Sequence, residues 1–150
     1  MKRFKNKKIM LKLLSVKNLL NQAGRLEIFF EDGLTVANFE LLKIIQEEKV
    51  ETISELQKFL SDSLPSLTQK TQKLVEQGFL EKEKSKLEPR KKILKTTPTG
   101  QKALERVEKK IELVSSAVFL KYSKSEKEKF LEMLEVLENK LSSKVEKINK

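Results

Sequence analysis

The apolar residues of this chain change period once, at Phe79, and change back at Thr97-Pro98. From Thr52 to Gly78 they recur at helical spacing, in TISELQKFL and SLPSLTQKTQKLVEQG. FLEKEK and KKILKTT then read as two short strands around a charged tip, Ser85-Lys86-Leu87-Glu88-Pro89-Arg90. A helix pair that gives way to one hairpin and returns to helix leaves few folds open. The remainder of the chain points to helix: only four Gly and three Pro interrupt 150 residues rich in Leu, Lys and Glu. The expected class is mainly α with a small β-hairpin.

Capping residues set the expected boundaries. Residues 4–22 form a first helix with Ile9, Leu13, Val16, Leu19 and Leu20 on its apolar side, ended by Gly24. Leu26, Ile28, Phe29 and Phe30 form an apolar patch, either core or interface. Thr35 caps a second helix over about 36–48, whose buried face carries Phe39, Leu42 and Ile45, widened by Leu41 and Ile44. Thr52-Ile53-Ser54-Glu55 is a capping box opening a third helix that runs to about Leu60. Ser63 caps the fourth helix, about 63–77, and Pro65 fits its first turn, where an amide has no helical partner. Leu67, Thr71 and Leu74 face the core, and Gly78 ends the helix in a left-handed conformation. After the hairpin, about 79–96, a fifth helix carries Leu104, Val107, Ile111, Val114 and Val118 at alternating spacings of three and four. A second capping box, Ser123 to Glu126, opens a sixth helix striped by Phe130, Leu134, Leu137, Leu141, Val145 and Ile148. Those stripes could form an intrachain core. They exceed what a small winged domain needs, which makes a homodimer the economical use of them.

Charge narrows the function classes. The net charge is +10, placed as +8 over residues 1–25, −6 over 26–62 and +6 over 63–102. Positive charge gathered on the helix–hairpin segment favours a polyanion, nucleic acid above all. Cys and His are both absent, which excludes disulfides, thiol redox sensing, Cys- or His-ligated metal and histidine acid–base catalysis. No nucleophile–base pair or glycine-rich phosphate loop is present, so no enzyme, catalytic residue or cofactor is expected. No apolar run approaches the roughly twenty residues needed to span a bilayer. Lys12 and Lys17 interrupt the one stretch that imitates a signal peptide, so the expected location is cytoplasmic.

A fourth helix laid in a major groove would present Pro65, Ser66, Gln69, Lys70 and Lys73. Gln69 suits adenine edges, and Lys70 or Lys73 suits guanine. Ser63, Ser66 and Thr68 are short hydroxyls suited to phosphate oxygens, although Ser63 is first a cap. On the hairpin, Arg90 suits a narrow minor groove, with Lys86, Lys91 and Lys92 on the backbone. The alternative for each lysine is ordinary solvated charge. Phe29, Phe30 and Phe39 could line an effector pocket or form plain core.

Over roughly Gly33 to Leu141 these pieces, in this order, resemble the multiple antibiotic resistance regulator (MarR) family of winged helix-turn-helix proteins. LTVANFELLKII resembles the helix before the DNA-binding unit, TISELQKFL the first helix of the motif, and SLPSLTQKTQKLVEQGFLEK the recognition helix and start of the wing. LKTTPTGQKAL is similar to the run leading into the long helix, and YSKSEKEKFLEML to the final helix. The wing departs from the family's Asp-x-x-Asp-Arg-Arg: Ser85, Glu88, Pro89 and Arg90 stand there, so the second arginine is kept and the first aspartate and first arginine are lost. Gln69 stands where members often have Arg, and Lys70 where they are usually apolar. The resemblance implies a single MarR-like domain over 1–150: a basic N-terminal dimerisation region over 1–30, the winged helix over 34–100, and C-terminal dimerisation helices over 101–150. It implies a homodimeric transcriptional regulator, a repressor, reading a pseudo-palindrome in double-stranded DNA. Many members are released by a small aromatic or phenolic effector. Two other readings stand beside it: an architectural winged-helix protein coating DNA with little sequence preference, and a winged-helix module that binds protein or membrane.

Overall fold

The computed structural model describes residues 2–25 and 33–148. Its elements run α1 Lys2–Arg25, α2 Val36–Glu47, α3 Ile53–Leu56, α4 Leu64–Glu76, β1 Leu80–Lys84, β2 Lys92–Thr96, α5 Pro98–Val118 and α6 Lys124–Ile148. This is the expected mainly helical order with one antiparallel hairpin. The chain divides into two compact units, Met1–Ile111 and Glu112–Lys150, with the boundary inside α5.

The caps fall where the sequence puts them. Thr35 accepts from the Asn38 amide at 3.2 Å. Thr52 and Glu55 satisfy each other's amides reciprocally, and the Glu55 carboxylate takes the Glu51 amide as well, at 2.9 Å. Gly78 closes α4 at φ 77°, a conformation open to glycine at no steric cost. Two boundaries differ from expectation. α1 continues through Gly24 to Arg25, since one glycine costs a long helix only about 1 kcal/mol. α3 ends at Leu56 rather than Leu60, because the next turn tightens: the Lys58 and Phe59 amides bond to the carbonyls three residues back.

The core of the first unit is built from α2, α3, α4, both strands and the start of α5. Leu41, Leu42, Leu56, Leu67 and Leu74 are fully buried, with Phe39, Ile45, Val50, Phe79, Leu80, Leu94, Leu104 and Val107 around them. A fully buried leucine contributes roughly 1.5–3 kcal/mol, so this cluster dominates the unit's stability. Thr71 is the one buried hydroxyl of α4, and it is satisfied by donating to the Leu67 or Thr68 carbonyl, each at 2.9 Å. β1 and β2 pair from Leu80↔Thr96 to Lys84↔Lys92. The Leu94 amide also donates to the Glu51 carbonyl at 2.7 Å, which fastens the hairpin to the segment before α3. Lys43 of α2 bonds Glu108 of α5 at 3.0 Å, and that contact raises its pKa above the ordinary lysine value.

Close approach fixes the joint between hairpin and α5. A Cβ on Gly100 would lie 2.2 Å from the Phe79 carbonyl oxygen, so only glycine fits there. The Thr97 hydroxyl donates to the Gly78 carbonyl at 2.6 Å and accepts from the Gly100 amide at 3.0 Å.

The second unit comprises the end of α5 and α6. The Ser123–Glu126 capping box opens α6, with the Ser123 amide on the Glu126 carboxylate at 2.8 Å. Phe119 sits near Tyr122 and Phe130, with ring centroids 6.2 and 6.5 Å away. None of the described residues from Glu112 onward is fully buried.

Candidate nucleic-acid interface

Three faces of α4 have three fates. Leu67, Thr71 and Leu74, at helical spacing, enter the core. Leu64, Pro65, Thr68, Gln69, Gln72, Lys73 and Glu76 line one open concave surface on the opposite side. Ser66 and Lys70 occupy the flank, four residues apart, and both turn to Asp62 in the preceding turn.

That flank alters the expected roles. The Lys70 ammonium lies 2.6 Å from Asp62 Oδ1, and the Ser66 hydroxyl donates to the same oxygen at 3.1 Å. Lys70 and Asp62 are both half-buried, their side chains 30% and 27% exposed. The Lys70 hydrogen bond is the main cause holding the Asp62 carboxyl below its ordinary pKa, against an opposing effect of burial. In this conformation Lys70 and Ser66 are engaged inside the protein instead of standing on the outer face. The position is half-buried, a setting that an apolar residue also suits.

The remaining α4 residues stand as follows. Ser63 is a cap, its oxygen accepting from the Ser66 amide at 3.3 Å. Thr68 lies on the outer face, but its hydroxyl donates to the Leu64 carbonyl at 2.8 Å. Pro65, Gln69 and Lys73 are exposed on that face. Gln72 belongs with them and was missed from the sequence, although its spacing from Gln69 and Thr68 places it on the same stripe. Its amide oxygen accepts from Lys82 of β1 at 2.9 Å, which links the outer face of the helix to the wing.

The hairpin divides into tip and base. Lys86 and Arg90 are exposed at the tip, which is closed by bonds from the Ser85 amide to the Lys91 carbonyl and from the Lys91 amide to the Glu88 carbonyl, each 2.8 Å. Ser85 Oγ accepts from the Leu87 and Glu88 amides at 3.3 and 3.2 Å. A serine oxygen thus closes this turn as an aspartate carboxylate can. Lys91 and Lys92 follow the tip at the start of β2, where they line a second concavity with Thr52, Ile53, Ser54, Glu55 and Lys58. Glu55 is held below its ordinary pKa first by the Glu51 amide, then by the Thr52 amide and the Lys91 charge. Lys95 pairs with Glu81 and Glu83 across the strands, at 3.9 and 3.5 Å.

The sequence nominates Phe29, Phe30 and Phe39 for an effector pocket. Phe29 and Phe30 lie outside the described residues, and Phe39 is buried in the core. Among the described residues no cluster of acidic side chains could hold a metal ion.

Residues 34–91 match the model of the MarR family. No curated protein matches the chain. Among solved structures, a MarR family protein from Bacillus stearothermophilus superposes with a TM-score of 0.81 at 20% identity, over 95% of this chain and 99% of that one. Staphylococcus aureus MarR in complex with salicylate and kanamycin gives 0.80 at 16% identity, over 92% and 93%. Streptococcus pneumoniae FabT in complex with DNA gives 0.76 at 16% identity, over 92% and 98%. The resemblance read from the sequence therefore holds: the chain has the winged-helix fold of MarR family proteins, and residues 34–91 carry that family's sequence pattern.

Proposed function

We propose that this protein is a non-enzymatic, cytoplasmic transcriptional regulator that binds double-stranded DNA as a homodimer and represses from a pseudo-palindromic site. The observation that carries this reading is the division of α4. One face is locked into the core by Leu67, Thr71 and Leu74, and the opposite face offers Thr68, Gln69, Gln72 and Lys73 to a groove. A rigid backing lets a helix read base edges without a further ordering cost. The Arg90 and Lys86 tip supplies charge beside it. FabT, which has the same fold, was solved with DNA.

Self-association is supported by the exposed apolar residues of α1, including Leu11, Leu14, Leu19 and Leu20, and by those of α6, including Leu131, Leu141 and Val145. Release by a small aromatic molecule belongs to the same proposal, supported by the salicylate-bound relative. Among the described residues no helix is long and apolar enough to cross a membrane.

Selection of bound duplexes from a random pool is the test. An inverted repeat supports a dimeric regulator, and binding without a recovered sequence supports the architectural reading. Arg90→Ala should weaken binding by about tenfold with an unchanged helix signal. A dimer neutralising six to ten phosphates loses roughly a thousandfold or more in affinity between about 50 and 200 mM salt. A flat salt response with vesicle binding would move the reading to a membrane module.

A further inference from the structure

We propose that Asp62 is a specificity-determining residue that holds Lys70 out of the DNA groove. The inference rests on the DNA-binding reading above. Asp62, Ser66 and Lys70 follow one flank at intervals of four, and one carboxylate oxygen takes both donors, at 3.1 and 2.6 Å. Both side chains of the pair are half-buried, which shields the contact in part from solvent.

The consequence follows from what a free lysine does. Its ammonium is a point charge on a flexible stem and reaches phosphates of any sequence. Such contacts raise affinity for every duplex alike and carry no sequence information. With Lys70 held by Asp62, the outer face presents Lys73 beside the Gln69 amide, while the Gln72 amide is engaged by Lys82 and Glu76. The Gln69 amide can pair with an adenine edge through a donor and an acceptor together, so this face reads bases more than a face with a free Lys70 would.

Asp62→Asn removes the charge and leaves an oxygen to accept from Ser66. Affinities for the selected site and for a random duplex should be measured across salt concentrations, with thermal melts to verify folding. Asp62→Asn should tighten random-duplex binding. Each freed lysine should enlarge the loss between 50 and 200 mM salt roughly three- to fourfold. The gain should vanish in Asp62→Asn/Lys70→Gln. Without DNA, NMR titration should find the Asp62 carboxyl midpoint higher in Lys70→Gln than in wild type.

An unchanged random-duplex affinity in Asp62→Asn, or a gain that survives Lys70→Gln, overturns the role. An Asp62 midpoint indifferent to Lys70→Gln overturns its geometric basis. Wild-type protein that binds neither duplex at low salt overturns the DNA reading, and the role with it. Normal wild-type binding with an inert Asp62→Asn overturns the role alone.

Discussion

The first half of α5 and its second half carry the same apolar spacing and meet opposite fates. Leu104 and Val107 are buried in the core of the first unit, whereas Ile111 and Val118 are 38% and 63% exposed. The contrast extends to what each half belongs to. α2, α3 and α4 bury Leu41, Leu42, Leu56, Leu67 and Leu74 completely, while α6 leaves Phe130, Leu131, Met133, Leu141 and Val145 in contact with solvent. Periodicity therefore states which face of a helix is apolar and is silent on what covers it. The winged region has its partners within the chain. The exposed stripes, on the homodimer proposal, find theirs in a second copy.

Substitutions on either side can break this contrast. The largest effect is expected at Leu74→Ala, in the finished core: a loss of about 2–5 kcal/mol by chemical denaturation. A loss well under 1 kcal/mol would mean that the winged core is not the stable half. Gly100→Ala should cost roughly 1–3 kcal/mol, because its methyl would meet the Phe79 carbonyl and the backbone must shift. An unchanged melting temperature would show that this joint yields easily.

Leu141→Glu tests the other side. The isolated chain should change by less than about 0.5 kcal/mol, while self-association measured by sedimentation should weaken about tenfold. A destabilised chain with unaltered association would place Leu141 in an internal core. The smallest effect is expected at Glu55→Gln. The folded Glu55 pKa lies below its ordinary value, so ionised Glu55 adds stability above about pH 4.3. That increment is lost as pH falls through the ordinary and then the depressed value. The gap between wild type and variant, about 0.5 kcal/mol, should thus close on acidification. A constant gap would assign it to hydrogen bonding alone.

What was legible in the sequence was local. Thr35, Thr52 with Glu55, Ser63, Gly78 and Ser123 with Glu126 announce their helix ends through side-chain chemistry that acts within a few residues. The hairpin was readable because its period differs. Lys49 gave no such signal, since its left-handed backbone at φ 52° arises at a residue that rarely adopts it. The outer face of α4 is half legible: helical spacing gives the stripe, but not the engagement of Lys70 by Asp62. The Lys70 role turns on a contact with a turn eight residues earlier, which no helical wheel contains. Phe29 and Phe30 fall outside the described residues, so the effector pocket stays where the sequence left it, an expectation.

The Thr97 hydroxyl joins Gly78, just past the end of α4, to Gly100 in the first turn of α5, and the bare Cα of Gly100 lets the two backbones touch. In mechanical terms this joint has almost no slack. A tilt imposed on the first turn of α5 would be passed through this joint to the end of α4. The same stiffness acts on sequence drift. Gly100 is restricted by the Phe79 carbonyl and Gly78 by its positive φ, while Gln69 and Lys73 stand exposed on the outer face of α4. The outer face of α4 can therefore vary without rebuilding the fold that presents it.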